Sequence, residues 1–268
     1  QTMSSPLPYK TLSFTSVDEF NQQCAQAILA PIQASIHENR PVIIGLSGGS
    51  TPIPMYQQVR DAILSQKLSL ANVYFFLVDD RYIATDHKDS NVNLVNVHLL
   101  SEELRSMTTV HLIQPRTDTL DLEACVTDYN EQVVQLMRQH SNQQYGGKAD
   151  LVTLGMGGDG HTASLFPTVV DEAFEVNDEK LVLHTTTEKF AVFNRLGVNI
   201  NFLENKSHAL AMFLKGKDKL DVWKQMEQDV LDALSKQEDK TRVPVDIVKR
   251  WPCANLLFNP NLTLYFCE

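Results

Sequence analysis

Residues 149–167 read ADLVTLGMGGDGHTASLFP, and their reading decides the fold. DLVTLG (150–155) is a short apolar run of strand type, and Gly155, Gly157 and Gly160 after it match G-x-G-x-x-G, the dinucleotide fingerprint. That fingerprint normally opens the first βαβ unit, starts a full-length helix and has an acid about 20 residues on. Here at least three strand-like runs come first, and HTASLFP reaches Pro167 in seven residues, too few for the helix. The next strand-like run, LVLHTT (181–186), is followed by threonines, with Glu188 well beyond the expected distance. The context therefore argues against a nicotinamide or flavin site. The loop reads instead as backbone that holds Asp159 and presents His161 between Gly160 and two small polar residues. A histidine titrates near neutrality and suits a general base. The glycines then serve geometry, with Gly160 expected to be the most sensitive because it aims His161 and suits a positive φ.

Outward from this loop, strand-like and helical periods alternate. PVIIGLS (41–47), NVYFFLVD (72–79), VHLIQP (110–115), DLVTLG, LVLHTT, HALAMFLK (208–215) and LTLYFC (262–267) are the strand candidates. Ser16-Val17-Asp18-Glu19 has capping-box spacing ahead of Val17, Phe20, Cys24, Ala27 and Ile28, a helix that Pro31 should kink or end. Met55, Tyr56, Val59 and Ile63 mark a second helix, and 90–103 a third. Leu122, Cys125, Val126, Tyr129, Val133, Leu136 and Met137 draw a helical face, and so do Leu220, Trp223, Met226, Val230 and Leu234 within about 218–236. Continuous apolar strands separated by helices predict an α/β fold. It should hold a mostly parallel sheet covered by helices on both faces, a Rossmann-like three-layer sandwich. With no repeat, linker or composition break, residues 1–268 read as a single domain.

Composition narrows the function classes. With 268 residues, 43% hydrophobic and 21% charged, the chain can bury a sizeable core. A formal charge of −10 argues against nucleic acid or a membrane surface as partner, while leaving room for a local basic pocket. Cys24, Cys125, Cys253 and Cys267 lack C-x-x-C spacing and read as buried reduced thiols. No run reaches a membrane span, and QTMSSPLPYK has no signal-peptide apolar region. A cytoplasmic protein is expected, with Gln1 and Thr2 ahead of Met3 as an added remnant.

In such a sheet, the loops leaving the C-terminal strand ends build the site. Two more of them are chemically unusual. LSGGSTPIPMY (46–56) runs from a strand through Ser47-Gly48-Gly49-Ser50-Thr51 into a helix start. Glycine backbone and free N–H groups there suit a phosphate, although the Walker lysine is missing; the plainer reading is a capped turn. FFLVDDRYIATDHKDSN (75–91) brings Asp79, Asp80 and Arg81 out at a strand end. With Asp86, His87 and Asp89 it allows three readings. One is a metal site, for which EF-hand spacing is absent; one is a solvated acidic loop with a self-paired Arg81; one is a polar site in which Arg81 meets an anion and Asp79 handles a proton or hydroxyl.

These three loops in this order resemble the 6-phosphogluconolactonase family, within the superfamily that includes glucosamine-6-phosphate deaminase. The motifs are SGGSTP (Ser47–Pro52), Asp79-Asp80-Arg81 with His87-Lys88-Asp89-Ser90-Asn91, and Gly155–Pro167. The last is the most specific, since deaminases carry GHIAFNEP-like residues where this chain has GHTASLFP. Asp80 replaces the usual glutamate, Gly158 a common proline, and Asn194–Asn199 follows the family's R-[IV]-[TS]-L-T stretch only loosely; Gly216–Lys219 fits its G-x-x-K element. The resemblance implies hydrolysis of 6-phospho-D-glucono-1,5-lactone, without metal or redox cofactor, by a monomer or weak homodimer. It implies His161 as general base and Asp79 as its catalytic companion. Ser47, Gly48, Gly49, Ser50, Thr51, Arg81, Asn91, Gly157, Asp159, Gly160, Arg195 and Lys219 would hold the substrate and its phosphate. An isomerase or deaminase, or a non-catalytic sugar-phosphate sensor, would use the same loops.

Overall fold

The computed structural model of the chain describes residues 6–268, so Gln1 and Thr2 lie outside the described residues. Seven strands form one sheet in which every pairing is parallel. Their order is β1 (Lys10–Phe14), β10 (Leu262–Cys267), β9 (Ser207–Lys215), β6 (Ala149–Leu154), β2 (Val42–Leu46), β3 (Val73–Leu77), β5 (His111–Ile113). The apolar runs are continuous because successive side chains enter different cores. Ile43, Phe76, Val152, Leu154 and Met212 face one core; Val42, Ile44, Leu46, Phe75 and Leu151 face the other.

The second of these cores is closed by α1 (Val17–His37), α2 (Ile53–Gln66), α3 (Asn91–His98) and α4 (Glu102–Met107). The first is closed by α5 (Leu122–His140), α6 (Ile200–Asn205), α7 (Lys217–Ser235) and α8 (Val245–Arg250). The expected α/β sandwich is what forms. In α7, Leu220, Trp223, Met226, Val230 and Leu234 are all buried, as their spacing predicts. Each such side chain contributes about 1.5–3 kcal/mol of burial.

The structure differs from local expectations at four places. Helix α1 does not end at Pro31 but continues to His37, because Ile28, Leu29 and Ile32 bury on both sides of the proline and offset its missing N–H. The single helix expected over 90–103 is two, since the Ser101 hydroxyl caps a new start by accepting from Leu104 N at 3.3 Å. LVLHTT does not join the parallel sheet. As β7 (Val182–Thr186) it pairs antiparallel with β8 (Asn194–Val198), which pairs antiparallel with β4 (Asp79–Arg81) in a separate three-stranded sheet. Val78 links the two sheets: its N–H donates to Leu46 O in the main one, and its carbonyl accepts from Val198 N in the small one. The run expected as one strand over 72–79 is therefore broken there. Strands β1 and β8 and helices α6 and α8 have no counterpart in the sequence reading.

Strands β2 and β6 are neighbours, and the chain leaves them in opposite directions, toward β3 and toward β9. This is the topological switch point of the sheet, where a crevice opens beyond the C-terminal strand ends.

Candidate active site

A cavity of about 270 Å³ occupies that crevice, floored by Ser47–Pro52 after β2 and Leu154–Gly157 after β6. The small sheet supplies a wall with Asp79, Arg81 and Arg195, and Lys215 and Lys219 stand on the β9–α7 side. Of the residues expected from sequence, Ser47, Gly48, Gly49, Ser50, Thr51, Asp79, Arg81, Asn91, Gly157, His161, Arg195 and Lys219 line it. Asp159 and Gly160 do not, and both act on His161 from behind.

The loop after β6 is built around the histidine. His161 Nδ1 lies 2.5 Å from Asp159 Oδ1, which also accepts from the His161 amide at 3.0 Å. That pairing commits Nδ1 and leaves Nε2 without a partner among the described residues. Burial opposes ionisation of Asp159, but these hydrogen bonds outweigh it and hold the carboxyl below its ordinary value. Phe166 and Phe190 pack on the ring, with centroids at 4.8 and 4.9 Å. A Cβ on Gly157 would lie 2.0 Å from His161 Cε1, so only glycine leaves room for the ring. Gly160 has φ +88° and faces the Trp251 ring, where a Cβ would come within 2.5 Å. A Cβ on Gly155 would meet nothing. Ala163, with φ +52°, continues the unusual backbone. No α-helix follows these glycines before α6; only a short 3₁₀ turn, Asp171–Phe174, intervenes.

In the loop after β2, Ser47 is fastened internally. Its hydroxyl donates to Thr153 O at 2.5 Å, and its amide donates to Tyr56 Oη and Thr153 Oγ1. The amides of Gly48–Thr51, by contrast, make no hydrogen bond among the described residues. Gly48 is required because Asn91 Oδ1 sits 1.9 Å from where its Cβ would be. Asn91 in turn donates to Asp79 O at 2.9 Å.

The DDR stretch resolves into distinct jobs. Asp80 is buried and accepts from the amides of Arg81, Asn91 and Val92; burial nevertheless pushes its carboxyl up to about 7. Asp79 Oδ2 accepts from Ser164 Oγ at 2.6 Å, tying this wall to the His161 loop. Arg81 donates Nη1 to the carbonyl of Asp89, not to a carboxylate, and its buried Nε has no partner. The self-paired reading of Arg81 is thereby corrected. Arg195 lies directly opposite Arg81 in the β4–β8 register and donates to the carbonyls of Ala191 and Val192. Burial, then the charge of Arg81, lowers its pKa. Burial likewise lowers that of Lys219, which donates to Met156 O at 2.8 Å. Sequence reasoning missed Lys215 and Phe190. The position of Lys215 at a strand's C-terminal end was an available signal; Phe190 had none.

The chain can be compared with known proteins at this point. The model of the glucosamine-6-phosphate isomerases/6-phosphogluconolactonase family matches residues 15–255. A protein of Dictyostelium discoideum named "Probable 6-phosphogluconolactonase" is 33% identical over 97% of this chain and 99% of its own length. The solved 6-phosphogluconolactonase from Plasmodium vivax superposes with TM-score 0.76 at 30% identity, covering 99% of this chain and 92% of that one. A monomeric glucosamine-6-phosphate deaminase shares the fold, with TM-score 0.70 at 17% identity over 97% of each chain.

Proposed function

The chain belongs to the glucosamine-6-phosphate isomerase/6-phosphogluconolactonase family, and on that footing we propose that it hydrolyses 6-phospho-D-glucono-1,5-lactone to 6-phospho-D-gluconate. One observation carries the reading. A carboxylate-held imidazole shares a cavity with Arg81, Arg195, Lys215 and Lys219, in a protein whose formal charge is −10. That cavity suits a small phosphorylated substrate that must be attacked by water.

His161 Nε2 takes a proton from water as its oxygen bonds to C1, while Asp159 fixes the tautomer and steadies the imidazolium. The carbonyl electrons move onto the former carbonyl oxygen, where the free amides of Gly48–Thr51 and the nearby cations balance the charge. The tetrahedral intermediate collapses by breaking C1 from the ring oxygen, which takes the proton back from His161. Arg81 and Arg195, with Lys219, hold the phosphate, and Asp79 orients a substrate hydroxyl. The chain acts as one domain of this type, and its buried, unbridged cysteines fit a cytoplasmic setting. Among the described residues no helix is long and apolar enough to cross a membrane. The test is lactone hydrolysis corrected for the spontaneous rate, with glucosamine-6-phosphate as control. Turnover of the amino sugar without lactone hydrolysis would move the chain to the isomerase branch.

A further inference from the structure

A second cavity, of about 250 Å³, lies away from the crevice between α6, the Asp171–Phe174 turn and α8. One side of its wall is apolar, with Ile200, Val243 and Val248 buried, while Val176 and Val245 stand at its rim 77% and 63% exposed. Two polar atoms on α6 break this lining. Asn201 is only 2% exposed; its Oδ1 accepts from Asn205, but its buried Nδ2 has no acceptor among the described residues. Glu204 Oε1 is likewise buried without a donor. Leaving such atoms without a partner costs about 1–3 kcal/mol each, and both residues line the cavity. Arg242 and Asn255, shared with the adjoining pocket that contains Lys148, give the same end a cationic neck.

We propose that this cavity is an effector site for a small aliphatic amino acid. The ammonium donates to Glu204 Oε1, the carboxylate accepts from Asn201 Nδ2 beside Arg242, and the side chain lies among the valines. The volume lies between an apolar cavity of about 150 Å³ that takes benzene and drug-sized pockets from about 300 Å³. Burial raises the carboxyl of Glu204 against the opposing pull of Asn255 and Arg242, and an ammonium would favour its ionised form. Occupancy would be felt at His161, because α8 ends on the catalytic loop. Arg250 Nη1 donates to Asp159 O at 2.8 Å, and Trp251 packs on Gly160. The effector role rests on the lactonase reading; binding does not.

Calorimetry of the full chain with L-leucine tests the site. Saturable binding tighter than about 1 mM is expected. It should weaken at least about tenfold in Glu204→Gln and in the rim variant Val245→Asp, and for 4-methylpentanoate, which lacks the amine. Leucine should also change kcat/KM for the lactone about fivefold or more. No saturable heat, equal binding of 4-methylpentanoate, or binding with unchanged kcat/KM would each overturn the proposal. Calorimetry needs no turnover, so an inactive enzyme would sink the lactonase reading and still decide whether leucine binds.

Discussion

Arg81 and Arg195 face each other across the antiparallel β4–β8 pair, two guanidinium groups at directly opposed positions of one register. Like charges so placed destabilise a sheet. Among the described residues neither forms an ion pair with a carboxylate, and the buried Nε of Arg81 has no partner. An anion between them would turn the repulsion into two charge-assisted contacts.

The first prediction follows from that pair. Arg81→Ala and Lys219→Ala should raise KM for the phosphorylated lactone more than they lower kcat, each charged contact contributing about 1.5–3 kcal/mol. The same variants should leave the slow hydrolysis of unphosphorylated gluconolactone nearly unchanged. Equal wild-type rates on the two lactones would mean that no phosphate clamp exists.

His161→Ala should lower kcat about 10²–10⁴-fold while product affinity stays within a few-fold. Asp159→Asn should lower kcat in the same direction by releasing the ring. The Asp159 carboxyl is held below its ordinary value, so its stabilising contribution is present above the unfolded pKa and disappears as pH falls through the folded one. Urea unfolding should therefore show a gap between wild type and Asp159→Asn near pH 7 that narrows as pH falls below about 4. A gap independent of pH would detach Asp159 from the histidine.

The three glycines of the opening motif should rank by what surrounds them. Gly157→Ala drives a methyl into the His161 ring and should abolish turnover. Gly160→Ala strains a positive φ and crowds Trp251, which should cost activity and about 1 kcal/mol or more of stability. Gly155→Ala, with open space around it, should remain active. Steady-state kinetics of the three variants check the order, and a flat titration of the wild type with NAD, NADP and FAD is expected alongside.

Asp80 gives a slope of the opposite sign to Asp159. Its carboxyl sits at about 7 in the fold against about 3.9 in an unfolded chain. The folded protein thus binds the extra proton, and this contribution is lost as pH rises from about 4 through about 7. Asp80→Asn has no proton to lose, so its urea midpoint should lack this decline. Identical slopes would show that the three backbone donors keep Asp80 ionised throughout.

The sequence by itself determined the layers and the loop that presents His161. Burial on both faces forces apolar residues into unbroken runs, and burial on one face spaces them as in α7; both are local patterns that need no knowledge of neighbours. GDGH was legible because glycine and histidine have few common reasons to stand together after a strand. Tertiary structure alone decided which strands pair. LVLHTT has the apolar content of a main-sheet strand, yet the turn of the chain at Val78 and the register with β8 place it in the small sheet. That sheet is what sets Arg81 against Arg195, and the closure of β9 and the 187–193 loop over the crevice brings in Lys215 and Phe190. Asn201 and Glu204 share a cavity wall with Val245 and Val248 only because the fold brings α6 and α8 to the same place. Such contacts depend on chain closure over long separations, whose energy lies in packing that no local window of sequence contains.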